Sequence, residues 1–117
     1  MANTFKLVTK AGVTSADVIY TVESSPSTTT IVLGLMIGNT TTSQITVTVS
    51  LVSDTANRTN ANDEVNQTVE LVTNAPIPAG SSLELLAGNK VVMEATDNIT
   101  VTATGAADVA LSILEIT

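Results

Sequence analysis

The sequence predicts an all-β protein, an antiparallel β-sandwich of about eight or nine short strands, jelly-roll-like or immunoglobulin-like. Three observations predict it. Val and Ile supply about a fifth of the 117 residues and Thr and Ser about a quarter, a composition that suits a pleated, half-buried surface. Apolar residues recur with a period of two. Turn signals punctuate the chain roughly every 8–12 residues, the spacing of a sandwich or small barrel. No long segment carries a 3.6-residue period, and one domain is expected over residues 1–117.

The elements follow in order. Residues 5–9 alternate, with Phe5 and Leu7 on one face and Lys6 and Val8 on the other, until Ala11-Gly12 breaks them. Residues 17–22 form a second strand, and residues 23–28, with Pro26, a turn. Residues 31–38 (IVLGLMIG) are the most apolar strand, and residues 39–43 are a polar turn. Residues 44–53 (QITVTVSLVS) alternate most cleanly: Ile45, Val47, Val49 and Leu51 point to the core, Thr46, Thr48 and Ser50 to water. Residues 54–66 form the longest loop. Residues 67–73 are a strand with Val69 and Leu71 inward. Residues 74–82 are a turn, because Pro76 and Pro78 cannot donate to a ladder and Gly80 permits positive φ. Residues 83–86 and 90–94 pair across a hairpin turn at Ala87-Gly88-Asn89. Thr96-Asp97-Asn98 turns the chain into strand 99–103, and residues 105–107 turn it into the last strand, 109–116. Residues 1–28 are expected to hold the first strands together with a mobile N-terminal arm that reaches a neighbouring subunit.

Composition excludes several function classes. There is no Cys and no His, which removes disulfides, thiolate metal sites, the commonest general base and the usual pH switch. Eleven acidic residues against four basic ones give a net charge of −7. Lys6, Lys10, Arg58 and Lys90 are too few and too scattered for a phosphate footprint, so no nucleic-acid partner is expected. Phe5 and Tyr20 are the only aromatic residues, too few for stacking on sugars or bases. The N-terminus lacks a secretory apolar region, and no apolar run reaches membrane-span length, so no leader and no membrane partner are expected. Asn-x-Thr sequons at Asn39, Asn57, Asn66 and Asn98 are chance matches in a Thr-rich chain.

Candidate chemistry is thin. Asp54, Asp63 and Glu64 share a loop but do not match a calcium-loop spacing. Ser81-Ser82 has no histidine to activate it, and pairing with Lys90 has no motif behind it. Glu84 and Glu94 could form a carboxylate pair on adjacent strands, but exposed strand glutamates explain them better. The glycines form no nucleotide-binding loop. No catalytic residue, metal or cofactor is expected, and the chain is not expected to be an enzyme.

Apolar surface is in surplus. In strand 31–37, Ile31, Leu33, Leu35 and Ile37 share one face and Val32, Gly34 and Met36 the other. In strand 109–116, Ala110, Leu114 and Ile116 line the reverse of Val109, Leu111 and Ile113. A strand apolar on both faces is covered on both. The cover is expected from other copies of the chain, through Phe5, Leu7, Val32, Met36, Leu114 and Ile116, with strand addition at an open edge; the alternative is that residues 1–25 fold over those faces within one chain.

Particular strings carry a resemblance. They are Ile31-Val-Leu-Gly-Leu-Met-Ile-Gly-Asn-Thr-Thr, Ile45-Thr-Val-Thr-Val, Asn74-Ala-Pro-Ile-Pro-Ala-Gly-Ser-Ser-Leu-Glu-Leu-Leu, Lys90-Val-Val-Met-Glu-Ala, Asp97-Asn98-Ile-Thr-Val-Thr and Ile113-Leu-Glu-Ile-Thr. Over residues 17–117 the chain resembles small all-β virion structural proteins of tailed bacteriophages. That resemblance implies a virion protein assembled in the host cytoplasm, foremost a capsid decoration (cement) protein bound to the major capsid protein. It also implies a homo-oligomer, with a trimer favoured. Neck, tail or fibre subunits are the alternative, and a carbohydrate-binding or adhesin module ranks lower. Residues 54–66 look longer and more polar than the corresponding turn of that group.

Overall fold

The computed structural model describes residues 2–54, 66–85 and 90–117. Among them, nine strands form two antiparallel sheets. They are β1 (Asn3–Val13), β2 (Ala16–Thr21), β3 (Thr29–Asn39), β4 (Ile45–Val52), β5 (Thr68–Ile77), β6 (Ser82–Leu85), β7 (Val91–Met93), β8 (Asn98–Ala103) and β9 (Ala107–Ile116). The first sheet runs β1-β9-β3-β6, with β7 also on β3, and the second runs β2-β8-β4-β5.

The pairing is nested. β1 pairs with β9, β2 with β8, β3 with β6 and β7, and β4 with β5. This is one long antiparallel ribbon folded at its middle. The cross-pairs β3·β9 and β4·β8 roll it into two layers. That topology is a jelly roll, with β6 and β7 sharing the place of one strand, and it resolves the choice left open between jelly-roll and immunoglobulin-like connections.

The core lies between the layers. Val32, Leu35, Ile37, Leu111 and Ile113 from the first sheet meet Val47, Val49, Ile99 and Val101 from the second, all essentially buried. β4 shows how the sequence dictates this. Ile45, Val47 and Val49 are buried while Thr46, Thr48 and Ser50 are half-buried on the opposite face. Each fully buried aliphatic side chain contributes about 1.5–3 kcal/mol of transfer free energy.

Several expectations need correction. The segment expected as an arm is built into the sandwich. β1 pairs with β9 along its length, and Ala2 and Thr117 exchange backbone hydrogen bonds at 2.9 and 3.2 Å. Ala11-Gly12 is a bulge within β1, not a strand end: the register shifts between Lys10 and Val13, and Gly12 takes φ 68°. The strand after the long loop continues through Pro76 to Ile77, because β5 is an edge strand and an edge proline forfeits no ladder bond. The turn that follows is tighter, with Ser81 N donating to Pro78 O (3.0 Å) and Gly80 at φ 71°. Val69, expected inward, is 54% exposed near the end of β5. β6 and β7 do not pair with each other as a hairpin; both lie antiparallel to β3, so they run in one direction. The turn expected at residues 87–89 and most of the long loop lie outside the described residues.

Candidate assembly surface

Directly opposed residues in a ladder share a face, so the registers map the outer surface of the first sheet row by row. One row is Asn3, Ile116 and Thr29. The next is Phe5, Leu114, Ile31 and Val92, apolar across four strands. Then come Leu7, Ser112 and Gly34, followed by Thr9, Ala110, Met36 and Glu84, and finally Asp108, Gly38 and Ser82. Phe5 is 74% exposed, Leu7 66%, Val92 63% and Met36 47%. The middle of the face is low. Gly34, Ala110 and Ser112 floor an open trough of ≈ 260 Å³, rimmed by Leu33, Met36 and Glu84.

The second sheet presents the opposite character. Its outer rows include Ala16, Thr102 and Thr48; Val18, Thr100, Ser50 and Glu70; and Thr21, Asn98, Val52 and Thr68. Hydroxyl and amide side chains dominate there, with Val18 the exposed exception at 53%. One side of the molecule is therefore wetted by its own side chains and the other is not.

Of the six residues expected to meet a neighbour, Phe5, Leu7, Met36, Leu114 and Ile116 lie together on this one face. Val32 does not, and its assignment is corrected: it is fully buried in the core, opposite Ile113 and Val91. The cause is a bulge. The register shifts between Val32 and Gly34, so Thr30 and Val32 point inward before Leu33, and Leu35 and Ile37 point inward after it. Strict alternation assigns those two halves to opposite faces. Val92 is a surface residue that sequence reading missed. Its signal was present in Lys90-Val-Val-Met, where two adjacent valines cannot both face inward in a strand.

Strand addition, expected at an open edge, meets obstacles on every border. Lys6 and Lys10 stand on the inner side of edge strand β1, inward charges of the kind that blunt edges. β2 is short and its register shifts between Val18 and Tyr20. β5 carries Pro76, and the edge opposite β1 is divided between β6 and β7.

Beneath the apolar row lies a polar cluster that ties the two layers. Glu115, buried on the inner face beside Thr30, accepts from the Tyr20 hydroxyl at 2.5 Å and pairs with Lys6 Nζ at 2.9 Å. Tyr20, from the other sheet, also lies 2.8 Å from Thr30 Oγ1. The hydrogen bond from Tyr20, and then that from Lys6, hold the Glu115 carboxyl below the usual carboxylate range. Burial, then the bond to Glu115, push the Tyr20 phenol up to about 12.

The other candidates do not converge. Ser82 opposes Gly38, whereas Lys90 adjoins Val91 opposite Val32; six positions of strand separate them, roughly 20 Å. Glu84 and Glu94 are held apart in the same way, at opposite ends of β3. Asp54 donates its backbone N–H to Asp97 Oδ1 (2.9 Å), and Asp63 and Glu64 lie outside the described residues. Asp97 acts as the expected turn residue: its other oxygen accepts from Glu94 N at 3.0 Å. Among the described residues, no three acidic side chains are grouped to hold a metal ion.

No protein-family model matches this chain. No curated protein matches it in sequence. Solved structures match its fold only loosely. A subunit of the disulfide-linked pili formed by Bacillus endospore appendages superposes with a TM-score of 0.48 at 14% identity, over 97% of this chain and 84% of that one. VP2 of the infectious bursal disease virus subviral particle superposes at 0.47 with 6% identity, over 96% of this chain and 32% of its own. The T13 particle of the same virus gives 0.38 at 9% identity, over 97% and 35%. This chain thus spans about a third of the VP2 chains and most of the pilus subunit, and scores this low have no bearing on its role.

Proposed function

We propose that this chain is a structural, non-catalytic subunit of a virus particle, specifically a decoration (cement) protein that stabilises a bacteriophage head by binding the major capsid protein. The observation that carries the reading is the outer face of the first sheet, where a four-strand apolar row stands in water beside a second sheet whose outer surface is hydroxyl-rich. A monomer rarely leaves so large an apolar patch uncovered, and such patches mark protein contacts. The scattered carboxylates, serines and lysines support a role without chemistry. The jelly roll, an architecture used by capsid domains, supports the virion by analogy of fold, as do the phage-like strings between residues 17 and 117.

Quantitative mass spectrometry of purified particles tests the reading. A decoration protein is present in hundreds of copies, and heads stripped of it lose resistance to heat. A few copies at one vertex or along the tail would reassign the chain to a neck, tail or fibre, and its absence from particles would sink the virion reading.

A further inference from the structure

We infer that the apolar outer face of the first sheet is covered by a second copy of this chain, forming a twofold, face-to-face pair in which the Phe5–Leu7 ridge of each copy enters the trough of the other. The inference deepens the assembly role just proposed and names its first partner. Three observations select a second copy over other occupants.

The first is area. Four strands about 4.8 Å apart and a β3 of 11 residues at about 3.3 Å each give a face of roughly 700 Å². A standard stable interface takes about 800 Å² from each partner, so the face is of the order a pair requires, and a contact that seats ridge in trough uses the part of it from β1 to β3.

Relief is the second. The exposed ridge of Phe5 and Leu7 on β1 borders the low floor of Gly34, Ala110 and Ser112. A Cβ built on Gly34 meets nothing within 4 Å, so the floor has room above it. A twofold axis lying in the interface, parallel to the strands and between ridge and trough, sets each ridge into the opposite trough. An isologous contact needs this self-complementarity.

Charge is the third. The three rows from Asn3 to Gly34 hold no ionisable side chain; Glu84 and Asp108 stand at one end, and Glu94 shares a pocket with Thr29 at the other. A basic partner finds no counter-charge within those rows. Two copies of a chain with net charge −7 repel through the rest of their surface, and through this face only at its Asp108 end. The blunted strand edges favour the face over the edges for contact between copies.

The full-length chain tests this directly. Sedimentation velocity is expected to give twice the 12.0 kDa chain mass, with the dimer fraction rising as salt screens the repulsion. Met36→Lys and Leu7→Lys are expected to weaken the pair at least a hundredfold, and Val18→Lys, on the opposite sheet, to leave it intact. Because the chain has no cysteine, Ser112→Cys is expected to cross-link to itself under mild oxidation, whereas Thr48→Cys stays single. The cross-link is informative even if a lysine variant misfolds. A monomer at all accessible concentrations, a trimer, or cross-linking through Thr48→Cys in place of Ser112→Cys overturns the inference. A monomer that still binds phage heads removes the pair and keeps the virion reading. A dimer that binds no head does the reverse.

Discussion

Two single residues show how tightly this sandwich is specified. Gly105 lies in the turn before β9, and a Cβ placed on it comes within 2.7 Å of Ile45 Cγ2, a buried core methyl. That side chain cannot retreat without disturbing the end of β4. Gly105→Ala is therefore expected to cost about 1–3 kcal/mol by overpacking, measured by denaturant unfolding, although alanine is otherwise a mild substitution. Tyr20 is the second. Its hydroxyl joins the sheets through Glu115 and Thr30, so Tyr20→Phe leaves a buried carboxylate short of a donor and is expected to cost about 1–3 kcal/mol. The pH dependence follows from the two shifted groups. Glu115 has a lowered pKa when folded, so its contribution is complete above the ordinary carboxylate range and is lost as pH falls through the lowered value. Tyr20 has a raised pKa, so its contribution is complete below pH 10 and is lost as pH climbs towards about 12. Glu115→Gln is expected to flatten the acid limb of the melting-temperature profile, and Tyr20→Phe the alkaline limb. An unchanged acid limb in Glu115→Gln would refute this account of the cluster.

At the scale of the element, β3 and β4 explain what was legible in the sequence. β4 could be read almost residue by residue, because it alternates without interruption. β3 could be located but not oriented. Its run from Ile31 to Ile37 is apolar at nearly every position, so pattern gives no parity, and the bulge at Leu33 reverses the parity midway. The error at Val32 comes from that one extra residue. Nor could local pattern show that β6 and β7 serve as one interrupted strand, since a two-strand hairpin and two segments along β3 obey the same alternation. Surplus hydrophobicity was legible because it is a property of composition and survives a misread register; of the six residues named for a contact, Phe5, Leu7, Met36, Leu114 and Ile116 lie on the outer face of the first sheet and Val32 does not. Deleting Leu33 tests the bulge. With it gone, β3 becomes a regular strand: Thr30, Val32, Leu35 and Ile37 all alternate inward and the ladder to β9 loses its shift. The deletion is therefore expected to retain cooperative denaturant unfolding, and its loss would refute this account of the bulge. Leu33→Ser keeps the bulge and removes only a half-buried outer side chain, so it is expected to leave the fold intact.

For the whole molecule, the contrast between its two outer surfaces links stability to concentration. The buried core between the sheets belongs to each chain alone, whereas the outer face of the first sheet is the surface that the inferred pair covers. Anything that binds the native state and not the unfolded one raises the melting temperature by mass action. A chain of 117 residues unfolds with an enthalpy of about 80 kcal/mol, so a pair that dissociates as it melts unfolds with about twice that. The melting temperature is then expected to rise by about 3 °C for each tenfold increase in protein concentration. Salt is expected to raise it further at fixed concentration by weakening the repulsion between two acidic chains. Met36→Lys removes the pairing without touching the core, so its melting temperature is expected to be independent of concentration, with a cooperative transition retained. Calorimetry over two decades of concentration checks both proteins at once. A wild-type melting temperature that stays flat across that range would mean that the apolar face is borne in water by a monomer, and that its occupant is not a copy of this chain.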